Sequence, residues 1–167
     1  SRRLRISARN ITVSTVGVVP GIKKLTAEGI PVRLAVSLHA PSDELRDELV
    51  PMNKRFNTTQ VLDAAHDYWL ASKRRVSIEY ALMRGINDQA EHAQLLAKRL
   101  NHYGDNWAHV NPIPLNPIEG SKWTASKPGD EQRFLEILHR AGITATLRDT
   151  RGQDIDGACG QLAAKER

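Results

Sequence analysis

The sequence predicts an α/β fold of parallel strands joined by helices, and three observations carry that expectation. Stretches rich in Val, Ile and Thr with period-two alternation take turns with stretches whose apolar residues recur every three or four positions. Most switches between the two are marked by Gly, Pro, Ser, Asn or Asp, the residues that cap and stop elements. The connecting segments are long enough to hold a helix, as the crossover between parallel strands requires.

The first strand is expected between Arg9 and Val19, where Ile11, Val13 and Thr15 alternate with Thr12, Ser14 and Val16 before Gly17 and Pro20 close it. A short helix follows from Gly21 to Glu28 and ends at Gly29. In the second strand Val32, Leu34, Val36 and Leu38 form an apolar face, while Arg33, Ala35, Ser37 and His39 occupy the other. Ser42 is a helix N-cap with Asp43 and Glu44 in the positive first turn, and Pro51 stops that helix. Asn57 and Gln60 make a capping box for the next, which buries Val61, Leu62, Ala64, Ala65, Tyr68 and Trp69 and runs out at Lys73-Arg74-Arg75.

Val76, Ile78, Tyr80 and Leu82 alternate with Ser77, Glu79, Ala81 and Met83 in a third strand whose second face carries a carboxylate. After the loop Gly85-Ile86-Asn87-Asp88, a helix from Gln89 to Leu100 turns Ala93, Leu96, Ala97 and Leu100 to one side. Ala108 to Pro114 is a short strand whose two prolines restrict pairing near its end. Leu115 to Gly129 has no periodicity and is a long loop. Asp130 is expected to cap a helix through Ala141 with Phe134, Leu135, Ile137 and Leu138 inward, and Ile143, Ala145 and Leu147 mark a last strand. That strand leads to Arg151-Gly152 and to Cys159, the single cysteine, set between Gly157 and Gly160.

The whole of residues 1–167 reads as one domain's worth of chain, 40% apolar and 26% charged. No apolar run approaches the length of a membrane span and no leader is present, so the chain is expected to be cytoplasmic, and one cysteine excludes an internal disulfide framework. Ser1 is not an initiator Met, which suggests a fragment of something longer. The net charge of +5 is uneven: Arg2, Arg3, Arg5, Arg9, Lys23 and Lys24 all precede Glu28, the first acidic residue. Such an entry suits phosphate contact, or simply a solvated face.

In parallel α/β folds ligands bind beyond the C-terminal ends of the strands. Ser14, Ser37, His39, Asn111, Asn116 and Cys159 fall in that zone. Cys159 is either an inert small hydrophobe or a soft nucleophile on glycine-freed backbone. A Cys159–His39 hydrolase pair lacks a local signature, the histidines lack zinc spacing, and no glycine-rich phosphate loop occurs.

Six stretches together resemble the RlmN/Cfr family of radical S-adenosylmethionine (SAM) RNA methyltransferases, in the C-terminal half of its adenine carbon-2 members. They are Ser14 to Pro20, Leu34 to Pro41, Arg46 to Lys54, Ile78 to Tyr80, Asn111 to Pro117, and Arg148-Asp149-Thr150-Arg151-Gly152 through Gly157 to Leu162. The resemblance implies the C-terminal part of a partial (β/α) radical SAM barrel with parallel strands. It implies SAM binding at Ser14, at Ser37, Leu38 and His39, and at Asn116, and a methyl group carried on Cys159 as a covalent intermediate. The reaction implied is methylation of carbon 2 of adenosine in 23S rRNA and tRNA, with a 4Fe-4S cluster and an electron donor that reduces it. Carbon 2 of adenine is electron-poor, so a radical generated by a cofactor is needed. The family's cluster-binding cysteine motif, its second cysteine and its N-terminal RNA-binding domain are absent from these residues, so the chain by itself is expected not to turn over. The readings set beside this one are a half-barrel that binds SAM or RNA without chemistry, and a carbon-8 methylase of the same family. Basic clusters and Trp123 are expected either to meet RNA or to be solvated and packed. Glu79 is expected to bond SAM or to pair with Arg33.

Overall fold

The computed structural model describes residues 7–116 and 122–147. Five strands, β1 (Thr12–Thr15), β2 (Arg33–Ser37), β3 (Val76–Leu82), β4 (Ala108–Pro114) and β5 (Thr144–Ala145), form one sheet in the order β1-β2-β3-β4-β5 with every neighbour parallel. Between them run α1 (Val19–Glu28), α2 (Asp43–Leu49), α3 (Thr58–Ser72), α4 (Ala90–Asn101) and α5 (Pro128–Arg140). Strands that follow one another in both sequence and space, with crossovers of one hand, put all their helices on one face. The core bears this out: Leu34, Val36 and Leu38, then Val76, Ile78, Tyr80 and Leu82, then Ala108 and Val110 share a single buried cluster with residues of α1, α3, α4 and α5. The alternate residues of each strand line the opposite face. A parallel sheet with sequential strand order, clothed by helices on one side only, is the arrangement of part of a (β/α) barrel.

Local chemistry sets the elements. In the capping box of α3 the Asn57 side chain accepts from Gln60 N, and Gln60 Oε1 accepts from Asn57 N, both at 2.9 Å. The Tyr68 hydroxyl on α3 reaches Val32 O at 2.6 Å, tying the helix to the start of β2. Pro112 and Pro114 have the strand parity of Val110, whose carbonyl accepts from Thr146 N at 3.1 Å, so the missing N–H groups face β5. Pairing with β5 therefore stops at two residues, while β4 pairs with β3 along its whole length.

Three expectations need correction. The first strand is shorter than its alternation suggested, because Ala8–Asn10 form a 3-10 turn under a Ser7 side-chain cap. Asp130 does not cap α5: the helix begins at Pro128 with Lys127 in the cap position, and Asp130 lies in the first turn. The last strand covers only Thr144–Ala145.

Candidate cofactor-binding site

The register aligns the open-face residues in rows. Ser14, Ala35, Ser77, His109 and Thr144 are successive partners across all five strands. The next row toward the strand C-termini joins Ser37, Glu79 and Asn111. Neighbouring strands lie about 4.8 Å apart, so this second row is a polar ladder roughly 10 Å wide. Its three members are half-buried. Within the face, Asn111 Nδ2 donates to Ser77 Oγ. Arg33 registers with Thr12, four residues along β2 from Ser37, so it is not at the level of Glu79. His109 contacts Thr144 Oγ1 at 3.0 Å. Burial, and then the charge of Arg75, hold the His109 imidazole below its ordinary pKa.

At the end of β2 the ladder changes partners. By register Leu38 faces Tyr80, and in a regular parallel ladder it would donate to Glu79 O and accept from Ala81 N. The first bond is present at 3.0 Å. The second is replaced twice over: His39 Nδ1 accepts from Ala81 N at 2.9 Å, and Leu38 O accepts from Arg46 Nε at 2.9 Å. His39 can do this because its backbone takes the left-handed conformation, φ 61°, which turns the chain out of the strand and the imidazole back onto β3. A ring that accepts at Nδ1 carries its neutral-form proton on Nε2.

Arg46 is 0% exposed. Besides Leu38 O, its guanidinium reaches Ser37 O at 3.0 Å, Val16 O at 2.7 Å and Asn53 Oδ1 at 3.1 Å. It gathers the carbonyls at the ends of β1 and β2. Burial lowers its pKa to about 10, with Asp43 and Asp47 opposing the shift, so the side chain stays charged at neutral pH. Asn53 is fixed in turn by Asp47 Oδ1 at 2.7 Å and Asp43 Oδ1 at 3.2 Å. At the end of β3, Asn87 is fully buried, and Asp88 beside it accepts from Ser126 Oγ at 2.5 Å. Arg84 N donates to Thr124 O at 2.8 Å, so the segment after β4 is fastened to the loop after β3.

The structure thus brings together Ser14, Ser37 and His39, two on the open face and one at its C-terminal rim. Asn116 is half-buried two residues beyond β4. The Leu38 side chain belongs to the helix-side core at 1% exposure, on the face opposite Ser37. Cys159 lies outside the described residues, as do Arg148, Arg151 and the arginines before Ser7. Trp123 resolves toward packing: it is buried with Ala40, Leu49, Val50, Met83 and Leu115 in a second cluster. Arg74 likewise holds the strand N-termini together through Pro31 O and Arg9 O, at 3.0 and 3.1 Å. Alternation gave no signal for Arg46, Asn53 or Asn87, which act from loops and a helix; only the membership of Arg46 and Asn53 in a family-like stretch singled them out.

A half-clothed parallel sheet with a polar ladder at its C-terminal ends defines a class. The fold matches a crystal structure of a radical SAM methyltransferase from Sphaerobacter thermophilus with a TM-score of 0.84 at 46% identity, over 95% of this chain and 46% of that one. In sequence the chain is 99% identical over 162 residues to the "Probable dual-specificity RNA methyltransferase RlmN" of Bifidobacterium longum. It is 64% identical over 162 residues to the protein of the same name from Kocuria rhizophila. Each match takes in 97% of this chain and 42% of the relative, so the chain spans less than half the length of the curated relatives it matches. No family model matches. Over nearly its whole length the chain is therefore similar to the C-terminal half of proteins named RlmN.

Proposed function

We propose that this chain supplies the SAM-binding rim and the methyl-carrying cysteine of an RNA methyltransferase that, as a complete protein, methylates carbon 2 of adenosine in 23S rRNA and tRNA. The observation that carries the reading is the ladder of Ser37, Glu79 and Asn111 beneath His39, an array of donors and acceptors at the strand ends of a sheet matched by a radical SAM methyltransferase. Bound SAM supplies an activated methyl group on a sulfonium. Ser14, Ser37, His39 and Asn116 are its contacts, Leu38 anchors the strand between two of them, and Glu79 is added as a partner for a ribose hydroxyl or the amine. Cys159 accepts and carries the methyl group before it passes to the base.

The donor set present suits SAM and does not suit an iron–sulfur cluster. One cysteine cannot provide the several thiolates that a 4Fe-4S cluster needs, and among the described residues no group of His, Cys, Asp and Glu could hold a metal ion. The residues that would hold the cluster therefore lie in the complete protein outside these residues, and the electron donor that reduces it is a separate partner. Among the described residues no helix is long and apolar enough to cross a membrane. Two measurements on the complete protein test the proposal. Calorimetric titration should show SAM binding that Ser37→Ala weakens, and mass spectrometry should find one added methyl group on Cys159. An unmodified Cys159 in cluster-loaded protein would refute its role.

A further inference from the structure

Asn87 sits in the loop after β3, wholly buried, and its side-chain amide makes three hydrogen bonds that use both N–H donors and one lone pair of the oxygen. Nδ2 donates to His39 O at 2.8 Å and to Ala81 O at 2.8 Å, and Oδ1 accepts from Met83 N at 2.8 Å. Two carbonyls and one amide leave a single orientation for the group, with the nitrogen toward His39. Its own carbonyl accepts from the buried Tyr80 hydroxyl at 2.6 Å, which fixes the loop to β3.

The bond to His39 O falls where it matters. His39 is one of three non-glycine residues with positive φ among those described, and a side chain in that region persists only when its surroundings hold it there. Asn87 holds its carbonyl, and Ala81 N–H holds its ring.

We propose that Asn87 is a positioning residue for His39: it locks the left-handed turn that keeps Nδ1 on Ala81 N–H, so that His39 meets the cofactor as an Nε2–H donor to an acceptor atom. The inference rests on the reading above in which His39 contacts SAM. Asn87→Asp tests it, because a carboxylate keeps the acceptor for Met83 N but faces two carbonyls with no hydrogen to give.

The experiment titrates SAM into the complete protein as wild type, His39→Ala, Asn87→Asp and the double variant. Each single variant is expected to weaken binding by about tenfold or more, and the double variant to match His39→Ala within about twofold, since Asn87 acts only through His39. Losses that multiply in the double variant, or an Asn87→Asp affinity equal to wild type, overturn the inference. If Asn87→Asp does not fold, Asn87→Ser, which keeps one donor, replaces it in the same cycle. Nitrogen-15 NMR of labelled histidine reads the tautomer directly: wild type should show a bare Nδ1 and a protonated Nε2, and Asn87→Asp a shift away from that state. The opposite wild-type tautomer also overturns the inference. Failure of wild type to bind SAM, or unchanged binding in His39→Ala, sinks the SAM reading instead, and the tautomer in the two proteins still decides the role of Asn87.

Discussion

Arg46 takes the carbonyl of Leu38 out of the sheet: its Nε donates to Leu38 O at 2.9 Å, where register would bring Ala81 N–H. The same guanidinium serves Ser37 O, Val16 O and Asn53 Oδ1, so one buried cation closes the ends of two strands and frees Ala81 N–H for His39. Arg46→Met would strand four acceptors, of which Leu38 O and Asn53 Oδ1 are buried and Val16 O and Ser37 O partly so, at roughly 1–3 kcal/mol for each buried one left unpaired. We expect a loss of at least about 3 kcal/mol in urea denaturation of the complete protein, with faster hydrogen exchange at Leu38 N. Arg46→Lys, with a compact charge in place of the fork, should recover only part of it. A loss under about 1 kcal/mol for Arg46→Met would refute the closing role.

Asp43 gives this cluster a pH dependence. Burial pushes its carboxyl up, but hydrogen bonds from Thr58 and Asn53 and the charge of Arg99 outweigh burial and hold the pKa below the ordinary 3.8. Thr58 N, at the first turn of α3, donates to its Oδ1 at 2.8 Å. A carboxyl depressed in the folded state stabilises the protein above its unfolded pKa, and that contribution disappears as pH falls through the folded value. Stability should therefore begin to fall as pH drops below about 4. Asp43→Asn should be less stable at neutral pH and show a flatter decline in acid. Parallel acid denaturation curves for the two proteins would contradict the assignment.

How far the fold could be read from the sequence depended on where its signals lie. Periodicity placed all five strands and the helices between them, and it sorted Ser37 and Glu79 from Val36 and Ile78, because face selection in a strand has a period of two. It misjudged ends, where tertiary pairing decides. Alternation continued to Leu147, but prolines on β4 remove the donors a longer β5 would need. It was blind to Arg46 and Asn87, since a residue that bonds carbonyls from a helix or a loop leaves no periodic trace. The Asn57–Gln60 capping box was legible because its chemistry is local, whereas Asp130 failed as a cap because Pro128 starts the helix two residues earlier.

Ser37 and Leu38 are adjacent in sequence and lie on opposite faces, and substitutions should separate them. Leu38→Ala removes a side chain at 1% exposure from the helix-side core and should cost about 2–5 kcal/mol of stability. Ser37→Ala, on the open face, should change stability by less than about 0.5 kcal/mol and weaken SAM binding by roughly fivefold to tenfold, the loss of one hydrogen bond. Denaturation and calorimetry on the same two proteins check both arms. Equal stability losses would show that the faces are misassigned.

Trp123 distinguishes a packed aromatic from one offered to RNA. It lies 6% exposed against Ala40, Leu49, Val50, Met83 and Leu115, beneath the antiparallel bridge of Met83 with Ala125, and the Lys122 ammonium stands 5.2 Å from its ring centre. An indole that stacked on a base would have to leave this cluster and open a cavity. Trp123→Ala is therefore expected to cost about 3–5 kcal/mol in stability. Trp123→Phe should restore most of that and leave RNA affinity within about twofold of wild type, because the contact that matters is with Leu49 and Met83. Base stacking by an aromatic contributes about 1–3 kcal/mol, so a Trp123→Ala protein that stays as stable as wild type yet binds RNA tenfold less tightly would reverse the assignment.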